Sequence, residues 1–317
     1  MSQKLIDLKN RMRSVENIKG TTETMSTVAA AKLARTRFKA ATLGMFAQRM
    51  REIALIQSEL ALFSEKDMFS EEVMTQISPL LIKKLRKNRI IVFVIASDIG
   101  MCGNYNGRIG KTTQIFLDNI LRKNRKAEVG VWIKGIRGER FFRKNTPFPI
   151  LNVEPWSEQG VSVSDALSLI MNMTDLFLHK NIDEIYCAYT KFHGPAKREP
   201  KVIKLLPFSF GLEEETTKDK TTHIKWIYEP DPLTILKELI PMYFKIQIFD
   251  LLLESYASEQ GARMMAMEDA SDRAAEKLHE MGIQYNRMRR DLITLDLLGI
   301  LSAARVIEKE AAAQTAF

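Results

Sequence analysis

The sequence predicts an α/β protein in which long N- and C-terminal helices wind into an antiparallel, left-handed coiled coil and carry an inserted Rossmann-like α/β domain. Three observations predict it. Proline-free stretches of helix-forming residues occupy both ends of the chain, and each carries an apolar seam that advances by threes and fours. Between them lies a block in which β-branched runs alternate with helical patterns, as a parallel-rich sheet with crossover helices requires.

Residues 1–63 read as one coiled-coil helix, interrupted by no proline and only by Gly20 and Gly44. Its apolar positions Leu5, Leu8, Met12, Val15, Ile18, Thr22, Met25 and Ala29 form a seam too narrow for a globular face, so it needs a partner helix. Residues 64–88 form a partly helical connector with a break at Pro79. Residues 89–229 form the α/β domain. Arg89–Ser97 (RIIVFVIAS) is a continuous β-branched run, which fits a strand covered on both faces. Further strands are expected at Ala127–Lys134, Asp183–Phe192 and His223–Tyr228, with helices at Ile109–Arg122, Gly138–Lys144 and Ser162–His179.

Residues 230–317 are the C-terminal coiled-coil helix and tip. Asp231 is placed as N-cap, Pro232 as the first helical residue, and Pro241 as a kink near the start. Met267, Ser271, Ala274, Leu278, Met281, Tyr285, Met288, Leu292 and Leu295 then repeat every ~3.5 residues, a period that imposes left-handed supercoiling. The small residues allow close approach, and the methionines adapt to an irregular partner surface. At ~1.5 Å per residue this helix extends on the order of 100 Å. Two end helices flanking one insert can pair only antiparallel. Both termini are therefore expected at one end, with the C-terminal helix projecting further.

Composition sets the partner class. The chain of 317 residues has a net charge of +8 and a pI near 9.3, which leaves nucleic acid, anionic lipid or an acidic protein surface as partners. No apolar run approaches the ~20 residues of a membrane span, and residues 1–13 lack a secretory signal pattern. Cys102 and Cys187 stand far apart, and His179, His193, His223 and His279 are scattered, so neither a redox pair nor a metal site is expected.

The one motif suggesting chemistry is Gly110-Lys111-Thr112 after the first strand. A phosphate-cradling loop needs glycine five residues before Gly110, where Tyr105 stands. Glu213-Glu214-Glu215 reads as a solvated loop, and no set of carboxylates, nucleophile and base converges. Two other classes remain to be weighed, a nucleotide-binding enzyme on the GKT loop and a basic coiled-coil nucleic-acid adaptor using Arg263, Arg273, Arg287, Arg289 and Arg290. The adaptor reading lacks interleaved aromatics.

Several separated blocks resemble the gamma subunits of F-type ATP synthases. Arg13-Ser14-Val15-Glu16-Asn17, Met25 and Val28-Ala29-Ala30-Ala31-Lys32-Leu33 resemble the opening helix. Ser97-Asp98-Ile99-Gly100-Met101-Cys102-Gly103 with Asn106 is similar to that family's SDRGLCG-type loop, and Gly138, Phe141 and Phe142 match its glycine and aromatic block. Ala257-Ser258-Glu259, Ala262-Arg263-Met264-Met265-Ala266-Met267, Tyr285-Asn286-Arg287, Arg289 and Ile293-Thr294 are similar to its last helix.

The resemblance implies a noncatalytic central rotor with no cofactor, possessing no active site of its own. It implies that the paired helices insert into the ring of alpha and beta subunits, while the α/β domain contacts the epsilon subunit and the membrane c-ring. No nucleic-acid partner is implied. The location implied is peripheral, on the cytoplasmic face of a bacterial plasma membrane, in a proton- or sodium-translocating complex. Arg289 and Thr294 match positions that engage the catalytic subunits' catch loops, and Met25 matches one that meets their acidic lever. Arg290 stands where the family has glutamine and Asp296 where it has glutamate, and because arginine and glutamine differ in charge and fork geometry the resemblance implies a rewired catch contact; separately, Glu23 stands where the family has lysine.

Overall fold

The computed structural model describes residues 3–64, 78–81, 88–157, 160–180, 182–207, 229 and 232–314. In chain order the elements are helix α1 (Gln3–Ser64), a short 3-10 turn (Pro79–Leu81), β1 (Arg89–Ile95), α2 (Tyr105–Lys123), β2 (Glu128–Lys134), α3 (Ile136–Asn145) and β3 (Ile150–Glu154). They continue with α4 (Val163–His179), β4 (Glu184–Phe192), β5 (Arg198–Leu206) and α5 (Pro232–Gln314). Most of the connector, Glu213–Glu215, the strand expected at His223–Tyr228 and the Asp231 cap lie outside the described residues. The helix of α5 continues through Pro241.

The chain divides into two compact units, Met1–Thr27 with Ala266–Phe317, and Val28–Met265. The second holds the sheet, in the order β3-β2-β1-β4-β5. Pairings β1–β2, β1–β4 and β2–β3 are parallel, and β4–β5 is antiparallel. The chain winds outward from β1 to β3, then returns to the other side of β1 with β4. The order therefore reverses between β1 and β4, which defines the switch point of the sheet.

Strand alternation sorts the central run into two layers. Ile91, Phe93 and Ile95 face a core with Leu169, Met173 and Phe177 of α4 and Ile240, Phe244 and Leu252 of α5. Val92, Val94 and Ala96 face the opposite core with Ile109 and Leu117 of α2 and Phe142 of α3. On α2 the buried residues Tyr105, Ile109, Thr113 and Leu117 recur every fourth position, one stripe of a helix. For α4, Ser162 Oγ caps the N-terminus by accepting from the Asp165 N–H at 3.1 Å.

Gly138 lets α3 lie against the sheet, because a Cβ there would press on Ala96 Cβ and Ile133 Cγ2. Gly138→Ala is accordingly expected to cost about 1–3 kcal/mol of stability. The thermal midpoint checks it, with Gly194→Ala, where no atom meets the new methyl, as the neutral comparison.

Strands β3 and β5 are additions to the sequence expectation, and both are edges. β3 is short, follows Pro147 and Pro149, and has no fully buried residue. β5 contains Pro200, paired opposite Thr190, and proline breaks the alternation that marks a strand in sequence.

A candidate interface on paired helices and its anchor

In the unit of Met1–Thr27 and Ala266–Phe317, the buried and half-buried positions of α1 are Leu5, Leu8, Met12, Val15, Lys19, Thr22, Met25 and Ser26. Apart from Met25 they keep a strict alternation of three and four. Ile18 was expected in the seam but is 55% exposed. The alternation passes through Lys19 instead, whose aliphatic stem can cover apolar surface while its ammonium reaches Glu23 Oε1 at 3.6 Å. Ser271 Oγ donates to the same Glu23 oxygen at 3.4 Å, so a polar crossing links α1 to α5.

On α5, Met267, Ser271, Ala274 and Met281 are buried, and Leu278, Tyr285, Met288 and Leu292 are half-buried. Leu295, the last position expected in that seam, is 63% exposed.

Met25 is half-buried, while Arg289, Arg290, Thr294 and Asp296 are all exposed. Arg290 Nε donates to the Asn286 carbonyl at 3.4 Å and Thr294 Oγ1 to the Arg290 carbonyl at 3.0 Å, both within α5 itself. Around them Ile293, Leu295, Leu297, Leu298, Ile300 and Leu301 are exposed. A run of large apolar side chains beside arginines on bare helix is the composition of a surface awaiting a protein partner.

The unit of Val28–Met265 anchors the other end of this helix. Here Leu33 lies beside Gly261, and Phe38 and Phe46 line an open cavity together with Phe249, so α1 and α5 run antiparallel in this unit. Residues 251–263 of α5 are buried almost throughout, crossing the carboxyl ends of β1 and β4. Ser255 Oγ accepts from the Thr190 N–H at 3.0 Å, and Ser258 Oγ donates to the Thr190 carbonyl at 2.9 Å. Tyr105 donates its hydroxyl to the Ser255 carbonyl at 3.1 Å. Arg263 Nη2 donates to the Ile99 carbonyl at 2.9 Å and to Glu259 Oε1 at 2.8 Å, while its Nε reaches the Gly100 carbonyl at 3.4 Å.

The loop that receives Arg263 is itself tied down. Asn106 Oδ1 accepts from the Ser97 N–H at 3.0 Å, and Asn106 Nδ2 donates to Ser97 Oγ at 2.7 Å. Asp98 accepts from the N–H groups of Ile136 at 2.8 Å and Trp156 at 2.6 Å, capping α3 from a distant loop. Tyr105→Phe strips a donor from the buried Ser255 carbonyl and is expected to cost about 1–2 kcal/mol, read by denaturant midpoint.

This arrangement holds parts together. In open α/β sheets, ligands bind outside the carboxyl ends of the strands at the switch point, and here α5 fills that place. Gly110, Lys111 and Thr112 lie within α2 rather than in a loop, and a Cβ on Gly110 would meet the Phe141 ring. Burial raises the Cys102 thiol, so it stays protonated and unreactive. Among the described residues no group of three or more His, Cys, Asp or Glu could hold a metal. No described helix is long and apolar enough to cross a membrane.

The sequence reading located the motif blocks but not their meeting. Ser97–Gly103 with Asn106, and Ser258–Glu259 with Arg263, come together only in the fold. Ser255, Thr190 and the Tyr105 hydroxyl escaped notice. The signal for Ser255 is a small polar residue close behind the apolar run Leu251–Leu253.

The fold and this site define a class: α/β proteins whose terminal helices pair with each other and are clamped across the switch point of the sheet. A profile described as ATP synthase matches residues 4–307. The ATP synthase gamma chain of Chloroherpeton thalassium is 30% identical over 97% of this chain and 99% of that protein. A chain of the Euglena gracilis mitochondrial ATP synthase, solved as OSCP, F1 and c-ring in rotational state 3, superposes with a TM-score of 0.60 at 15% identity, covering 96% of this chain and 94% of the other. One from the Tetrahymena thermophila mitochondrial ATP synthase central stalk and c-ring gives a TM-score of 0.52 at 22% identity, over 79% and 99%. The chain belongs to the ATP synthase gamma chain family.

Proposed function

We propose that this chain is the central rotor shaft of an F-type ATP synthase, coupling ion flow through a membrane c-ring to ATP synthesis or hydrolysis in a ring of alpha and beta subunits. The observation that carries the reading is the pairing of an exposed, apolar and arginine-bearing stretch, residues 289–301, with a clamp that fixes the same helix to the α/β domain. A shaft needs both. One end must contact partners differently as it turns, so that each orientation favours a different catalytic-subunit conformation. The other must not slip. No covalent chemistry on the shaft is required, and the reading assigns it no cofactor.

The same reading divides the chain into a helix at 1–63, a connector at 64–88, an α/β domain at 89–229 and a second helix with its tip at 230–317. The contacts proposed for the catalytic subunits are Met25, Arg289, Arg290, Thr294 and Asp296. Those proposed for the seam are Met12, Val15, Met267, Leu278, Met281, Tyr285, Met288 and Leu292. The α/β domain is proposed to meet the epsilon subunit and the c-ring, in a proton- or sodium-translocating complex peripheral to the cytoplasmic face of a bacterial membrane. A net charge of +8 suits a collar of acidic protein surface.

Replacing both Arg289 and Thr294 with alanine tests the interface. Both side chains are exposed, so the melting temperature of the chain should hold, while ATP hydrolysis by the complex reconstituted with alpha and beta subunits should fall on the order of tenfold. Unchanged hydrolysis would remove these residues from the coupling surface. Failure of the chain to assemble with the ring subunits at all would remove the rotor reading.

A further inference from the structure

Arg263 and Glu259 leave only 6% and 4% of their surfaces exposed. Such a pair is a poor source of net stability, because both charges lose their hydration. Its geometry is asymmetric. Arg263 makes three hydrogen bonds, bridging two loop carbonyls and one carboxylate oxygen. Glu259 is not: Oε1 receives Arg263 and, at 3.4 Å, the Gln260 amide, whereas Oε2 is buried without a hydrogen-bond partner. An ionised carboxylate with a dry, unpaired oxygen is costly. A protonated one is less so.

We propose that Glu259 is a positioning residue that acts as a proton-sensitive latch. When protonated at its unpaired oxygen it lets α5 close on the carbonyls of Ile99 and Gly100 through Arg263, and when ionised, with that oxygen buried and unpaired, it loosens α5 on that loop. The proton binds at a carboxylate oxygen and comes from solvent, so no other reactant is needed. The groups that face Glu259 come from every neighbouring element: Lys32 of α1, Asp98 and Cys102 of the loop after β1, Tyr105 of α2, and Tyr256 and Arg263 of α5. Burial raises the Glu259 carboxyl to about 7, with Arg263 opposing and Asp98 adding to the rise. Tyr105 is held neutral by its own burial, so it does not titrate alongside. In the range around neutrality the latch is therefore closed on the acid side and looser on the alkaline side.

The consequence for coupling rests on the rotor reading, but the latch itself does not. Hydrogen exchange of residues 97–103 in the assembled complex, corrected for the intrinsic pH dependence of exchange, tests the latch directly. The wild-type chain should lose protection as pH rises, with a midpoint near 7 and on the order of tenfold faster exchange at the alkaline limit. Glu259→Gln, which fixes the neutral form, should exchange at the acid-limit rate at every pH. Glu254→Gln is the comparison, because that carboxyl is also raised to about 7 by burial yet faces Asp250, Lys191 and Lys201 instead. It should leave the profile intact. A flat wild-type profile, or one that persists in Glu259→Gln, overturns the proposal. So does a profile lost in Glu254→Gln but kept in Glu259→Gln. In vesicles, the ratio of ATP-driven ion transport to hydrolysis should fall on the alkaline side for wild type and Glu254→Gln but stay level in Glu259→Gln. If exchange titrates while this ratio does not, the latch stands and its coupling role is refuted.

Discussion

Arg263→Ala is expected to destabilise the unit of Val28–Met265 by about 3–5 kcal/mol, among the largest effects of any single polar change. The substitution removes the partner of a buried carboxylate and orphans the carbonyls of Ile99 and Gly100 together. Part of the loss is recoverable. Glu259→Gln with Arg263→Met removes both charges while keeping comparable volume, and replacement of a whole buried pair is often close to neutral. Chemical denaturation of the single and double variants checks this, and the double variant should sit well above Arg263→Ala. Additive losses would mean that the two residues act independently.

Phe244→Ala is expected to cost a similar 3–5 kcal/mol, through a cavity rather than a charge. Phe244 is 1% exposed and packs in the core that α5 shares with α4 and the sheet. Met242, on the same turn, is 45% exposed, and Met242→Ala should fall within about 0.5 kcal/mol of wild type. The contrast identifies the early part of α5 as a core element of the α/β unit. Equal losses at the two positions would contradict that placement.

Stability should also respond to pH in a direction that two glutamates of α5, one half-buried and one buried, set. Glu254 and Glu259 are both raised from 4.5 to about 7. The folded chain therefore binds more protons than the unfolded chain between those values, and this contribution to stability declines as pH rises across that window. It amounts to a destabilising load at alkaline pH, which Arg263 partly offsets for Glu259.

How far the fold was legible follows from what each segment is packed against. The run RIIVFVI announced a strand buried on both faces because its neighbours cover both faces, and period therefore did not matter. The seam of α5 from Met267 to Leu292 was legible because one helix faces it and solvent the rest, which imprints a repeat. Residues 251–263 offered no such imprint. They are enclosed on nearly all sides, so Ser255, Ser258, Glu259 and Arg263 interrupt the apolar pattern just where burial is deepest. Sequence rules read polar residues as surface, and only the fold reveals that Ser255 and Ser258 are satisfied at a strand end, Arg263 at loop carbonyls and one oxygen of Glu259 by Arg263. Ile18 failed for a simpler reason. It is apolar but one position off the strict alternation, and the lysine beside it supplies the packing.

The clamp joins Ile99 to Arg263 across 164 residues of chain. On the ribosome, the strands and crossover helices emerge long before the segment that seals their carboxyl edge, so the nascent domain must wait with that edge open. Late closure of distant contacts slows folding and prolongs exposure. Truncating the chain before Ser255 should thus yield a product that chaperones retain and proteases clear, even though every strand of the sheet has been made.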